Sequence, residues 1–441
     1  MTPQNSRITR RPLAHAHLYG LVICSNSALQ LWPLSRERAP LELAPDASSG
    51  LSPLAKAIRA IAPHCATPLI IAVPGDMAPL VEQHIAKHTL LAPTDYAFLV
   101  EPYPRGTALT TALAAATVKL VDPHAVLVCL PANNAFDADD RWAQALARAV
   151  KAAQCDRIAV VGSSTPPLSR TPGFAGGAAG RMAGGILTGG ALVRATDAWG
   201  TGRAVSAVGG AGRTGGAARE AEAQPALLGT IRMGAELKEC EGAYLVRSFI
   251  ARPAPAVAWR AEQNKSLWST HIFVCKADIA LGELRAAGRD ADDPQKQTVQ
   301  RIAETARFFV ALGSEHWNSK EARELVETLP ALSFEEAVFE TTQLLAAIPT
   351  SIGFYDLTTL AGYEQSLEAD VNGNRLRGNT LAVQTRDTTI LADAGKLVVT
   401  LGIEDALVID TPDATLITTH KALGSMPAVL ATLKATSAPE L

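Results

Sequence analysis

The chain has 441 residues, 48% hydrophobic and 19% charged, the composition of a globular protein long enough for one large domain and a smaller one. A formal net charge of -3, which nine histidines shift only modestly, gives no electrostatic case for nucleic acid or an anionic membrane surface. The six cysteines are scattered without a C-x-x-C pair and several sit inside apolar runs, so they read as buried reduced thiols in a cytoplasmic setting, and no apolar run reaches membrane-spanning length.

Residues 1–17 read as a disordered tail. Arginines 7, 10 and 11 precede an apolar stretch, but His15 and His17 interrupt it and no small-residue cleavage site follows, which argues against a signal peptide. An apolar strand, Leu21 to Cys24, then enters the polar turn Ser25-Asn26-Ser27, followed by Leu31-Trp32-Pro33-Leu34-Ser35-Arg36. A strand, a tight loop and a helical turn in that order bring loop amides toward a phosphate. Apolar spacing predicts helices over 51–61, 78–88, 107–121 and 141–153, alternating with strands at 68–74, 97–100, 125–130 and 158–162. Strands bare of polar residues between amphipathic helices predict an α/β fold with a parallel sheet covered on both faces. Ligands of such sheets bind beyond the carboxyl ends of the strands. The Ser25 loop, Glu101-Pro102 and Pro131-Ala132-Asn133 all fall at that edge.

Residues 173–226 are mostly Gly and Ala with few large apolar side chains, and such a segment cannot offset the entropy of ordering itself. It reads as a flexible insertion, with an active-site lid or a partner-binding arm as the functional alternative. Order resumes with strands at 243–250 and 267–274, a helix at 255–264, and mainly helical chain over 277–329. Beyond Gly353 short strands at 380–385, 396–401, 406–409 and 415–418 alternate with turns, and a helix over 426–434 closes the chain. The expected organisation is therefore a tail at 1–17, an α/β domain at 18–352 and a β-rich unit at 353–441.

The motif Leu31-Trp32-Pro33-Leu34-Ser35-Arg36 resembles the opening signature of the mannose-1-phosphate guanylyltransferases, G-G-x-G-T-R-L-W-P-L-S-R followed by P-K. Further fragments follow in family order. Glu101 to Ala108 resembles E-P-x-x-R-N-T-A, and Leu130 to Asn134 resembles L-P-A-D-H. Thr171 to Phe174 with Leu228 to Arg232 resembles a split T-G-Y-G-Y-I, and Phe249 to Pro253 resembles F-V-E-K-P. Leu267 to Phe273 resembles L-W-N-S-G-M-F, Ser333 to Glu340 resembles S-I-D-Y-A-V-M-E, and Gly353 to Leu357 resembles G-W-S-D-V. The resemblance covers roughly residues 18–434 apart from the insertion. It implies a Rossmann-like nucleotidyltransferase domain with a small β-helix-like unit, and a reaction in which mannose 1-phosphate attacks GTP to give GDP-mannose and pyrophosphate.

Carried over residue by residue, the resemblance implies nucleotide binding by Ser25, Asn26, Ser27, Ala28, Glu101, Arg105 and Thr107. It implies sugar binding by Gly229, Trp268 and Glu340, and Mg²⁺ held at Asp356 and at position 133. Several of these positions are altered. Ser25, Asn26 and Ala28 stand where glycines belong, Gln30 replaces arginine, Leu41 and Arg252 replace lysines, and Asn133 replaces the metal-binding aspartate. Glycine lets backbone amides approach phosphates, and Arg and Lys neutralise their charge. Losing two cations and one metal ligand costs on the order of 10³-fold in rate. For Arg105 and Thr107 a plain helix entry, with Thr107 as cap, is the other reading. Asp137, Asp139 and Asp140 read as charges at a helix N-terminus, and His271 as a packed or solvated histidine.

Three functions remain open on the sequence. The chain is a working guanylyltransferase, a non-catalytic paralogue that binds GTP or GDP-mannose and regulates an active homologue, or a structural subunit of a polysaccharide-assembly complex.

Overall fold

The computed structural model describes residues 17–25, 31–36, 39–45, 49–136, 139–164, 228–287, 294, 296–392 and 395–438, all within one compact unit. Asn26, Ser27, Ala28, Gln30, Asp137, the segment 171–174, the insertion at 173–226 and residues 1–16 of the expected tail lie outside the described residues. His17, the last residue assigned to the tail, is described; its Nδ1 lies 2.8 Å from Asp122 Oδ2.

Runs rich in Val, Ile and Leu form the strands β1 (Leu18–Ile23), β2 (Ala66–Pro74), β3 (Tyr96–Glu101) and β4 (Val126–Pro131). A two-residue β5 (Asn134–Ala135) precedes β6 (Ile158–Ser163), β7 (Thr230–Glu236), β8 (Tyr244–Ile250), β9 (Leu267–Lys276), β10 (Leu345–Thr350) and a two-residue β11 (Tyr355–Asp356). Between them lie α1 (Pro53–Ile61), α2 (Ala78–Lys87), α3 (Thr107–Val121), α4 (Asp140–Gln154), α5 (Pro255–Gln263), α6 (Ala277–Ala287), α7 (Gln300–Leu312) and α8 (Lys320–Glu327). Asp139 caps α4 by accepting from the amides of Arg141 and Trp142, as its place in the acidic run predicted. The strand β10, LAAIPT, and the π-helical turn Glu335–Phe339 were not anticipated from the sequence. Neither carries a run long enough to stand out from the loops beside it.

Nine strands form one sheet in the order β3-β2-β1-β4-β9-β6-β10-β8-β7, and all but β8 and β9 point the same way. Apolar clusters cover both faces, one centred on α3, α6 and α7 and the other on α1, α2 and α4. The reversed direction of β9 has a consequence for the ligand edge. Its start, rather than its end, lies beside the carboxyl ends of β4 and β6, where Trp268 is opposite Ser163.

The helix α9 (Leu360–Gln365) leads into β12 (Arg375–Arg377), β13 (Thr380–Val383), β14 (Thr389–Ala392), β15 (Val398–Leu401), β16 (Ala406–Asp410) and β17 (Thr415–Thr419), and α10 (Met426–Ala435) ends the chain's described part. Alternate strands stack: β12, β14 and β16 run parallel on one face and β13 and β15 on another, which is a β-helical coil capped by antiparallel β17. The strands at 375–377 and 389–392 escaped the sequence reading because each is too short to show a sustained alternation. Gly378 turns a corner of this coil at φ +87°, and a Cβ there would stand 2.1 Å from the carbonyl oxygen of Ala392.

The opening motif is fastened to this coil. Leu31 and Leu41 bury themselves against Leu357, Leu391, Leu407 and Ile409. The Arg36 guanidinium holds the Asp413 carboxylate through both amino nitrogens, with Nη2 at 2.7 Å from Oδ1, and donates to Thr411 Oγ1 at 2.8 Å. Trp32–Pro33 is a cis peptide.

Candidate active site

A cleft of about 530 Å³ opens at the carboxyl ends of β1, β2 and β3, lined among others by Cys24, Ser25, Gly75, Glu101, Gly106 and Thr107. That volume suits a nucleoside-sized ligand. Glu101 ends β3 with its side chain buried, and its Oε2 has no hydrogen-bond partner among the described residues. Burial pushes its carboxyl up to about 7, against the nearby Thr110 hydroxyl, which pulls it down. Gly106 starts α3 at φ +85°, where a Cβ would meet the Leu332 carbonyl oxygen at 2.4 Å. The glycine lets that chain pass against the helix start. Thr107 does not cap α3. Its Oγ1 instead accepts from the Phe334 amide at 2.9 Å, so it ties the helix to the distant 333–339 segment. Arg105 turns away from the cleft and donates to the Glu327 carbonyl at 3.0 Å.

Around the end of β4 the arrangement differs. Ser25 donates its backbone N–H to Glu42 Oε1 at 3.0 Å, and the Glu42 side chain is buried. Leu41, the neighbour of Glu42, points into the apolar cluster with the coil and is 3% exposed. Asn133 Nδ2 donates to Ser25 Oγ at 3.4 Å, and its carbonyl accepts from the Leu357 amide at 3.1 Å. The pairing of β5 with β11 sets Asp356 opposite Asn134. Positions 133 and 356, far apart in sequence, are thus neighbours. Asp356 Oδ1 accepts from both the amide and the hydroxyl of Thr358, at 2.9 and 2.7 Å.

Further along the edge Glu340 accepts from the Ala251 amide at 3.1 Å through Oε1 and pairs with Lys296 at 2.6 Å through Oε2. Arg252 pairs with Glu336 at 2.8 Å. Trp268 is buried in β9, and Gly229 sits so close to Phe249 that a Cβ would stand 2.7 Å from its ring. The structure therefore gathers Ser25, Glu101 and Thr107 at the cleft, Asn133 and Asp356 beside it, and Glu340 with Ala251, the chain neighbour of Arg252. It separates Leu41 and Arg105 from them.

The residues 378–422 match the model of the MannoseP isomerase/GMP-like beta-helix domain, the coil of β13 to β17. The alginate biosynthesis protein AlgA of Pseudomonas aeruginosa is 24% identical over 403 residues, 91% of this chain and 69% of that protein. The mannose-1-phosphate guanylyltransferase of Escherichia coli K12 is 22% identical over 431 residues, 96% of this chain and 75% of that protein. Among solved structures, one described as mannose-1-phosphate geranyltransferase from Thermus thermophilus superposes with a TM-score of 0.68 at 19% identity, over 95% of this chain and 99% of that one.

Over most of its length the chain is similar to the mannose-1-phosphate guanylyltransferase family, at low identity.

Within this family a divalent metal such as Mg²⁺ is generally used. The donors that this chain offers at positions 133 and 356 are one amide and one carboxylate, and one oxygen of that carboxylate is engaged by Thr358. Among the described residues no three His, Cys, Asp or Glu side chains converge as metal ligands. No helix among them is long and apolar enough to cross a membrane.

Two participants escaped the sequence reading. Glu42 is one, since nothing local distinguishes it from a surface acid. The other is His271, which is neither simply packed nor solvated. It lies inside β9 at φ +58°, in the left-handed region that costs most residues about 1–2 kcal/mol. Its Nδ1 is 3.1 Å from Glu335 Oε2, and its side chain remains 31% exposed. Burial pulls the imidazole's pKa down, but the Glu335 carboxylate, helped by Asp356, holds it up at about 9. The signal was present: His271 occupies the glycine position of L-W-N-S-G-M-F, and a glycine position marks backbone that a side chain rarely adopts.

Proposed function

We propose that this chain binds a guanine nucleotide, or its sugar conjugate such as GDP-mannose, in the cleft at the ends of β1 to β3. We propose further that the transfer step from GTP to mannose 1-phosphate is lost or slowed on the order of 10³-fold. The observation that carries this reading is the contact of Glu42 with the Ser25 amide. An amide of the loop expected to face the phosphates is already answered by the protein's own carboxyl group, which is buried where a triphosphate would approach. Leu41 supports the same reading, because the position expected to supply a lysine is used for packing.

The base side supports binding. A buried carboxylate with an unpartnered oxygen can accept the two neighbouring N–H groups on the Watson–Crick edge of guanine. The ring of an adenine offers no such pair. Glu101 would thereby exchange an unsatisfied burial for two hydrogen bonds, and Gly106 and Thr107 would hold the wall against which the nucleoside packs. Mg²⁺ fits poorly at positions 133 and 356. It commonly relies on one or two carboxylates with phosphate and water, and here one carboxylate with an occupied oxygen faces an imidazolium.

The test is pyrophosphate release from GTP, mannose 1-phosphate and Mg²⁺ by the full chain, set beside calorimetric binding of GDP and GDP-mannose. The expected result is measurable binding with release no faster than that of Asp356→Ala. Rapid release that Asp356→Ala abolishes would overturn the loss of transfer, and absence of nucleotide binding would overturn the whole reading.

A further inference from the structure

Two departures from the family pattern meet at one place in space. Where L-P-A-D-H carries an aspartate the chain has Asn133, which removes a negative charge. Where L-W-N-S-G-M-F carries a glycine it has His271, which adds a group able to carry a positive one. The β4–β9 register sets Cys129 opposite Phe273, and the chain of β9 that precedes Phe273 carries His271 toward the turn that holds Asn133 and Asn134. Asn134 Nδ2 donates to the Thr270 carbonyl at 2.8 Å and locks the two segments together.

We propose that His271 is the fixed cation of this site, and that its imidazolium, in place of a divalent metal, meets the diphosphate of the bound ligand. The proposal rests on the nucleotide reading above. It predicts that ligand binding does not require a divalent metal.

The geometry around the ring is built rather than incidental. Glu335, itself buried, holds Nδ1 through Oε2 and accepts the Ser269 hydroxyl through Oε1. Ser269 Oγ in turn accepts the backbone N–H of His271 at 3.2 Å. This closed set of contacts fixes both the backbone and the orientation of the ring, and in the imidazolium leaves Nε2–H as the one ring donor not committed. Among the described residues Nε2 has no hydrogen-bond partner, and the ring is partly exposed. The strand departs from regular pairing here: the β6–β9 register shifts between Val160 and Gly162, opposite the segment that carries His271. Strained backbone within a strand persists where surrounding contacts over-determine it, and such positions cluster at ligand sites.

The charge balance favours the same assignment. The charged groups that face His271 are Glu335, from the 335–339 turn, and Asp356, from β11. The adjoining end of β4 contributes Asn133 and Asn134, both neutral. A dication placed beside Asp356 would meet an imidazolium nearby, with one carboxylate fewer to compensate it.

The experiment is calorimetric titration of the full chain with inorganic pyrophosphate and with GDP, each in Mg²⁺ and in EDTA, repeated for His271→Asn and His271→Gly. Asparagine tolerates positive φ and is neutral, and glycine removes the backbone strain, so thermal midpoints of the two variants separate a folding defect from a binding one. For the natural chain both affinities should agree within about twofold between EDTA and Mg²⁺, and both variants should weaken by about tenfold or more in EDTA, the scale of one charge-assisted hydrogen bond. Adding Asn133→Asp to His271→Gly should make binding tighten with Mg²⁺. Pyrophosphate bound only with Mg²⁺, or bound equally by folded variants, overturns the proposal. Binding of pyrophosphate that depends on His271 without binding of GDP sustains His271 and sinks the nucleotide reading. GDP binding that ignores both variants does the reverse, and binding of neither ligand overturns both.

Discussion

The two sides of this cleft have diverged to different degrees. On the base side Glu101, Gly106 and Thr107 keep a cavity and a carboxylate with an unsatisfied oxygen. On the side proposed for the phosphates, groups of the protein itself answer one another. Glu42 takes the Ser25 amide, Leu41 is buried and an amide replaces a carboxylate at position 133. The difference teaches that a sheet edge can hold its shape while the charge pattern along it is rewritten, because strand packing beneath the edge does not depend on which polar groups project from it. The changes on the phosphate side are also mutually consistent: a lost acid is matched by a histidine, and a lost lysine by an apolar cluster that uses the space.

The sharpest way to break this comparison is to restore the family's lysine. Leu41→Lys would place an ammonium in the cluster of Leu31, Leu357, Leu391, Leu407 and Ile409, with no carboxylate among those neighbours. It should destabilise the chain by about 3–5 kcal/mol, measured by urea denaturation, without raising pyrophosphate release. If activity rose with little loss of stability, the phosphate side would be one residue from function and the contrast would collapse.

Gly106→Ala probes the base side. Its Cβ would have to displace the Leu332 carbonyl from a left-handed position, a cost of about 2–3 kcal/mol, and the shift of α3 should weaken GDP binding through the cleft wall. Unchanged affinity in a destabilised protein would separate the wall from recognition.

The smallest effect expected is on Glu101, and it depends on pH. Its carboxyl is raised from 4.5 to about 7 in the folded chain, so the folded state binds the proton more tightly than the unfolded one. Stability therefore falls as pH rises through that window, and the cost is complete above it. Glu101→Gln removes the charge and should be more stable than the natural chain near pH 8, with the advantage gone near pH 4. The thermal midpoint at the two pH values measures it. The same variant should bind GDP more weakly at pH 8, since an amide cannot accept two N–H donors through both atoms.

Much of the fold was legible in the sequence. The helix at Thr107–Val121 was bounded to the residue, and β2, β3, β4 and β6 were found within two residues of their ends, while the two-residue β5 was missed. Their apolar runs and periodicities are local, and local pattern selects secondary structure whatever lies across the core. The pattern of residues showed the β-helical coil only as short strands, since stacking pairs residues a full coil apart, and its β-helix-like stacking was implied by the family resemblance alone.

The site was legible in its positions and not in its contacts. The sequence by itself determined which residues sit at the carboxyl ends of the strands, and it exposed the substitutions at 41, 133 and 271. Tertiary structure alone decided what those residues do. Arg36 meets Asp413 across 377 positions, and Ser269 meets Glu335 across 66. Leu41 is buried because the coil folds back over the opening motif, and His271 is held charged because Glu335 arrives from the far side of three helices. Burial and charge are set by what surrounds a side chain, and that environment is assembled by contacts between segments that carry no trace of one another in the sequence.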